Sequence, residues 1–330
     1  MSIDVQRIRE AQTLLARHFG PTRIARAASL SSPDHDVFLK IETGLPTGSF
    51  KVRGAIYALS VAVRDGLKAV PYSPGAGNGL QAVPSAFEVV CASTGNHGAA
   101  VAYAAQLLSV RATIFLPVNP NPVKAARIRA LGATLVESGT DLSAAIDAAR
   151  DYAATAPAFF LHDASDPDVP AGTGTIGLEI IEQLPAADVI YVPMGDTALI
   201  RGVASAAKQL RPSIRIVGVV AERASAYRLS WQQGTVIETT TCDTIADGLA
   251  IRRPLAPNVA AIRELVDEVV MVTEEEMLSA IALLQTREQV IAEPAGAAAT
   301  AAFLKRRDTA ATSVLLVTGC NIAPGLLPPA

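Results

Sequence analysis

The sequence predicts an α/β protein: parallel sheets with helices packed on both faces. Two observations lead there. Short β-rich runs alternate with alanine-rich stretches of helical length along most of the 330 residues, and glycine-bearing turns recur where a strand hands over to a helix. Strands joined through a helix return to the same edge of the sheet, so they pair in parallel and are covered on both sides. The length allows one or two domains.

The elements follow in order. "FEVVCAS" reads as a strand ending at Ser93, and "HGAAVAYAAQLLS" as the helix after it. Then come strand "ATIFLP", helix "PVKAARIRALG", strand "ATLVE", helix "DLSAAIDAARDYAATA" and strand "FFLHD". "DVIYVPM" leads into "ALIRGVASAAKQL" and strand "IRIVGVVAE" follows; "EEEMLSAIALLQTRE", "GAAATAAFLKRR" and strand "SVLLVTG" close the chain. The acidic run Glu274–Glu276 suits the first turn of a helix, where the dipole favours negative charge. Residues 70–85, "VPYSPGAGNGLQAVPS" with the residues around it, are rich in Pro, Gly, Ser and Asn and break the pattern. They read as a long loop, either a surface insertion or a flap near a site.

Composition narrows the function. The net charge is −3 and no basic block interleaves with aromatics, so nucleic acid is not an expected partner. No apolar run reaches the roughly 20 residues that span a bilayer, and "MSIDVQRIREAQTLL" carries charges where a secretory signal needs an apolar core. A cytoplasmic protein without a membrane partner is expected. Cys91, Cys242 and Cys320 make neither a disulfide framework nor a zinc pattern, and four unpaired histidines add no metal site.

"GSFKVRGA", Gly48 to Ala55, surrounds a lysine with small residues, a phenylalanine and an arginine. A surface lysine needs no such setting; a lysine that forms a covalent bond inside a cleft does. Ligands of open α/β sheets sit at the carboxyl ends of strands. "STGNHG" (93–98), "PMGDTALIRG" (193–202) and "VTGCNIAPG" (317–325) occupy such places, and "AGTGTIG" (171–177) reads as a fourth turn, opening a helix. Backbone N–H groups at a helix N-terminus suit a carboxylate or phosphate. Asp196 in the second loop reads either as a helix cap or as a side chain turned away from an anion held by the backbone.

Taken together, these motifs resemble the fold-type II pyridoxal-phosphate enzymes, the tryptophan-synthase-β superfamily, and within it the serine/threonine dehydratase family. The similarity also rests on "HDASDPDVPAGTGTIGLEI", "TIADGLAIRRP" and "AEPAGAAATAAFL", and it covers nearly the whole chain in order. It implies two three-layer α/β/α domains with pyridoxal 5'-phosphate in the cleft between them: a large domain of residues 1–52 and 158–330, and a small one of 53–157. Lys51 would bond covalently to the cofactor and later take the α-proton, and Phe50 would lie beside the ring. Asn96 would bind the ring hydroxyl, and Ser93, Thr94, Asn96 and His97 would frame the substrate carboxylate. Gly195, Asp196, Thr197, Ala198 and Leu199 fall where the family has a tetraglycine phosphate loop, from which this chain departs. Thr318 would face the pyridine nitrogen and Glu293 would sit near the cofactor. A neutral hydroxyl at Thr318 cannot keep the pyridine protonated as a carboxylate would, which favours prompt loss of a β-leaving group.

The implied function is β-elimination from a β-hydroxy-α-amino acid such as L-threonine or L-serine, giving a 2-oxo acid and ammonia. Three alternatives stand beside it: an amino-acid racemase using Thr94 as second acid/base, a β-replacement synthase, and a non-catalytic family member. The expected partners are a small-molecule amino acid and a second copy of the chain in a homodimer. Some members of the family hold a cation near an acidic cluster after the phosphate-loop helix; "AERASAYR" offers Glu222, but Arg228 stands where the resemblance implies a second acid, so no metal site is claimed, and no regulatory domain is expected after "VTGCNIAPG".

Overall fold

Side chains along the central strands sort alternately into two apolar layers, and this builds the larger sheet. The computed structural model describes residues 2–69, 87–93, 95–120, 122–140, 142–155, 158–306 and 311–326; Thr94 and the predicted 70–85 loop lie outside them. In chain order the elements are α1 (Val5–Leu15), β1 (Arg23–Arg26), β2 (Asp36–Ile41), α2 (Lys51–Ala69), β3 (Glu88–Ala92), α3 (Asn96–Leu107), β4 (Arg111–Leu116), α4 (Pro122–Ala130), β5 (Thr134–Glu137), α5 (Leu142–Thr155), β6 (Ala158–Phe160) and α6 (Val169–Gln183). They continue with β7 (Val189–Pro193), α7 (Ala198–Leu210), β8 (Arg215–Ala221), α8 (Ala226–Gln233), α9 (Ala256–Leu265), β9 (Glu268–Val272), α10 (Glu274–Arg287), α11 (Pro294–Arg306) and β10 (Thr312–Val317). The chain divides into two compact units, Met1–Phe50 with Pro170–Ala330, and Lys51–Val169.

The first unit holds a six-stranded sheet in the order β1-β2-β10-β7-β8-β9. Its pairings are parallel except that of β1 with β2. Val189 and Tyr191 of β7, Val217 and Val219 of β8, and Leu315 and Val317 of β10 pack against Met277, Ile281, Ala298 and Phe303 of α10 and α11. Their neighbours Ile190, Val192, Ile216, Val314 and Leu316 pack on the other side, against Ile176, Ile200, Val203 and Ile262 of α6, α7 and α9. Period-2 alternation with both sets buried is the mark of a sheet covered on both faces, three layers in all. The acidic run opens α10 through a capping box: Thr273 accepts from the Glu276 N–H, and the Glu276 side chain accepts from the Thr273 N–H.

The second unit holds a four-stranded parallel sheet in the order β5-β4-β3-β6. Val90, Ala92 and Phe115 pack on Ala145 and Ala149 of α5.

One expected turn is something else. Residues 171–177 lie inside α6, not in a turn that opens it. Their glycines serve a helix crossing. A Cβ on Gly177 would come 2.4 Å from the Val203 carbonyl oxygen, and one on Gly202 would come 2.6 Å from the Gly174 nitrogen. Glycine on both helices lets the α6 and α7 backbones approach closely. Among the described residues, no helix is long and apolar enough to cross a membrane.

Candidate active site

In the first unit, the glycine motifs separated in sequence become points of contact between backbones. A Cβ on Gly195 would lie 2.0 Å from the Gly248 carbonyl oxygen, and a Cβ on Gly296 would lie 2.5 Å from the Gly319 carbonyl oxygen. "PMGDTAL" therefore packs on "TIADGL", and "EPAGAA" packs on "VTGCN". No residue with a side chain fits at Gly195 or Gly296 without moving backbone.

"VTGCN" also ties down the segment before Lys51. The Phe50 N–H donates to the Thr318 carbonyl (3.0 Å), the Cys320 N–H to Gly48 (3.0 Å), and Asn321 Nδ2 to Thr47 (2.9 Å). Thr47 and Gly48 both take positive φ, 66° and 65°, which turns the chain sharply before α2 begins. The Glu293 N–H donates to the Gly319 carbonyl (2.9 Å), and a Cβ on Gly319 would lie 2.5 Å from Glu293 Oε1. Phe50, Thr318 and Glu293 are thus gathered at one turn. Thr318 is buried.

The loop from Gly195 to Leu199 joins β7 to α7. Asp196 Oδ1 accepts from the Ala198 N–H at 2.9 Å, so this carboxylate is folded onto the helix start instead of turned away. Thr197 adopts left-handed backbone, φ 76°, and its Oγ1 is buried with no hydrogen-bond partner. Asn258 Nδ2 donates to the Asp196 carbonyl (3.3 Å) and braces the loop from α9.

In the second unit, β3 and β6 are neighbours, and the turns after them come together. Ser93 is buried, and its Oγ accepts from the Gly95 N–H (3.2 Å). Asn96 and His97 open α3, which sits close because Gly98 has no Cβ; one there would be 3.0 Å from the Ser93 carbonyl oxygen. The buried His97 donates from Nε2 to the Leu161 carbonyl (3.1 Å). That assignment leaves Nδ1 unprotonated, 3.5 Å from Asp163 Oδ2. Burial pulls the His97 pKa below its usual value, opposed by the Asp163 charge, so the ring is neutral near pH 7.

Lys51 begins α2, and its Nζ donates to Asp163 Oδ2 at 2.5 Å, both side chains being 15% exposed. Asp163 was not among the residues singled out from the sequence. The signal for it existed, because an acid three residues past β6 lies at the carboxyl edge of the sheet where ligands of such folds bind. Its turn is built by Asp166, whose Oδ1 accepts from the Asp168 and Val169 N–H groups (2.8 and 3.1 Å) and starts α6. Burial pushes the Cys91 thiol well above its ordinary pKa, so it is no nucleophile. Among the described residues, no cluster of His, Cys, Asp or Glu could hold a metal ion.

Comparison with known proteins matches this arrangement to one family. The family described as "Pyridoxal-phosphate dependent enzyme" matches residues 15–319. The L-threonine ammonia-lyase of Geobacter sulfurreducens is 35% identical over 319 residues, covering 96% of this chain and 72% of that protein. Among solved structures, the T.th. threonine deaminase superposes with a TM-score of 0.85 at 30% identity, over 99% of this chain and 100% of the other. Maize serine racemase superposes with a TM-score of 0.87 at 29% identity, over 98% and 95%. With a family match across nine-tenths of its length, the chain belongs to the pyridoxal-phosphate dependent enzymes.

Proposed function

We propose that this enzyme is a lyase that removes the β-hydroxyl from L-threonine or L-serine and releases a 2-oxo acid and ammonia. The observation that carries the reading is the placement of Lys51 at the start of α2, its amine held by a carboxylate at 2.5 Å. Similarity to an L-threonine ammonia-lyase over 96% of the chain supports the substrate class.

The residues present fit pyridoxal phosphate. The Gly195 backbone lies where no side chain fits, and the buried Thr197 hydroxyl beside it lacks a partner, as suits an anion-binding loop. Residues 195–199 would hold the phosphate, Asn96 the ring hydroxyl, and Thr318 would face the ring nitrogen, with Phe50 and Glu293 alongside. Lys51 would hold the cofactor covalently. When bound, the cofactor supplies an electron sink at the substrate's α-carbon. Ser93, Asn96, His97 and Thr94 would bind the substrate carboxylate. His97, neutral and fixed through Leu161, orients without donating a charge. Lys51 Nζ would take the α-proton, after which the β-hydroxyl leaves. Two domains that follow the two compact units, rather than boundaries at 53 and 158, and a cytoplasmic homodimer complete the reading.

Racemisation is the second reading, favoured by the likeness to maize serine racemase. It needs a proton donor on the opposite face, within about 2.6–3.2 Å or one water away. Thr94 is the candidate, and a threonine hydroxyl is a weak acid. Two experiments test the proposal. Borohydride reduction and peptide mapping should place the cofactor on Lys51; a label on another lysine refutes the mechanism. Chiral chromatography of L-serine and L-threonine incubations, run beside an oxo-acid assay, should show oxo acid as the main product. Mostly D-amino acid, lost in Thr94→Ala while oxo-acid release persists, would establish the racemase instead.

A further inference from the structure

Asp163 sets a carboxylate against the Lys51 amine, and the rest of the machinery does not account for it. It lies 112 residues away in sequence and reaches Lys51 from a turn that Asp166 and His97 hold in place, the latter through Leu161. Lys51 is the first residue of α2, so its amine sits at the positive end of a helix dipole, where an ammonium is disfavoured. A carboxylate at 2.5 Å reverses that preference.

We propose that Asp163 is the counter-ion that holds the Lys51 ammonium once that amine has taken up the substrate's α-proton, and so is a positioning residue of the elimination. The proposal rests on the reading of Lys51 given above. In the step concerned, the α-C–H bond breaks and its proton forms a new N–H bond on Lys51 Nζ. The electron pair stays on the carbon, conjugated with the cofactor. Asp163 gains and loses no proton; it lowers the energy of the charge that appears on Lys51. His97 braces the turn that carries this carboxylate by donating from Nε2 to the Leu161 carbonyl.

The same contact has an opposite effect earlier in the enzyme's life. Covalent attachment of the cofactor needs the lone pair of a neutral amine. A carboxylate that favours the ammonium slows this attachment while it speeds turnover. A carboxylate that merely braces the fold would, when removed, impair both.

The test uses the full chain, stripped of cofactor and then supplied with pyridoxal phosphate. Uptake is followed by the absorbance of the bound chromophore, and turnover with α-protonated and α-deuterated L-threonine. Asp163→Asn is expected to take up cofactor faster than the wild type and to label on Lys51. Its kcat should fall about 10- to 100-fold, the loss of one hydrogen bond to a charged group. The α-deuterium effect on kcat should grow, because proton removal becomes the slower step. Asp163→Ser is the second neutral variant and should behave alike. Uptake and kcat both unchanged, or both reduced together, would overturn the proposal. Failure of both variants to fold would also overturn it, by showing that the carboxylate is a structural prop. If wild-type Lys51 takes no label, the underlying mechanism fails instead, and the two failures are told apart.

Discussion

Gly195→Ala tests whether the loop after β7 is a cofactor cradle whose shape depends on a missing side chain. The new Cβ would fall 2.0 Å from the Gly248 carbonyl oxygen, where ordinary contact begins at 3.4 Å, so one backbone must retreat by about 1.4 Å. Both partners are main chain, and the Gly248 side is itself backed by Ala295, whose Cβ would stand 3.1 Å from a Cβ on Gly248. Overpacking of this kind costs roughly 1–3 kcal/mol, and with no flexible atom to yield the upper value applies. At about 2–4 °C per kcal/mol for a unit of this size, the melting temperature should fall by roughly 6–12 °C. Moving the loop also misplaces N–H groups that would hold a phosphate. Each such bond to a charged group is worth about 1.5–3 kcal/mol, so affinity for pyridoxal phosphate should weaken about 10- to 100-fold per donor lost. Thermal melts of the cofactor-free protein and an absorbance titration read the two effects separately. Gly20→Ala is the control, since a Cβ there meets nothing within 4 Å, and it should match the wild type in both. Wild-type affinity and melting in Gly195→Ala would refute the close-packed cradle.

Two more expectations follow from the same geometry. Asp196→Ala removes the acceptor for the Ala198 N–H and should cost about 0.5–1.5 kcal/mol in a denaturation curve, as loss of one hydrogen bond does; cofactor affinity should hold or tighten because that N–H is freed, and a marked loss of affinity would contradict this. Burial lowers the His97 pKa on folding from 6.5, so between the two values the unfolded chain binds the extra proton. His97 therefore stabilises fully above about pH 6.5, and stability falls as the pH drops through that value toward the folded one. Denaturation midpoints from pH 7.5 to 5 should show a shallower decline in His97→Gln, and an identical decline would exclude His97 as its source.

Much of the fold and of the site is legible because the demands are local. Alternating buried faces along β7, β8 and β10 appear as unbroken apolar runs, and helix-length spacers between them leave parallel pairing as the consequence. Ser93, Asn96, His97 and the Gly195 loop stand just past strand ends, where the backbone itself makes a binding edge, and Lys51 is marked by its local motif at a helix start. Only the tertiary structure decided which segments meet. Pattern alone does not place β10 between β2 and β7, or make β1 an antiparallel edge, because pairing order depends on which faces pack across long stretches of chain. The glycines of 171–177 look like a turn in sequence and prove to be a helix crossing, since their partners, Gly202 and Val203, lie a full strand away. Asp163 is the sharpest case. Its place three residues past β6 puts it at the binding edge of the sheet, but its contact with Lys51 exists only because β6 pairs beside β3 and Asp166 turns the chain back toward α2. Residue type and local spacing determined what chemistry this chain could carry; non-local packing determined which charge stands beside the reacting amine.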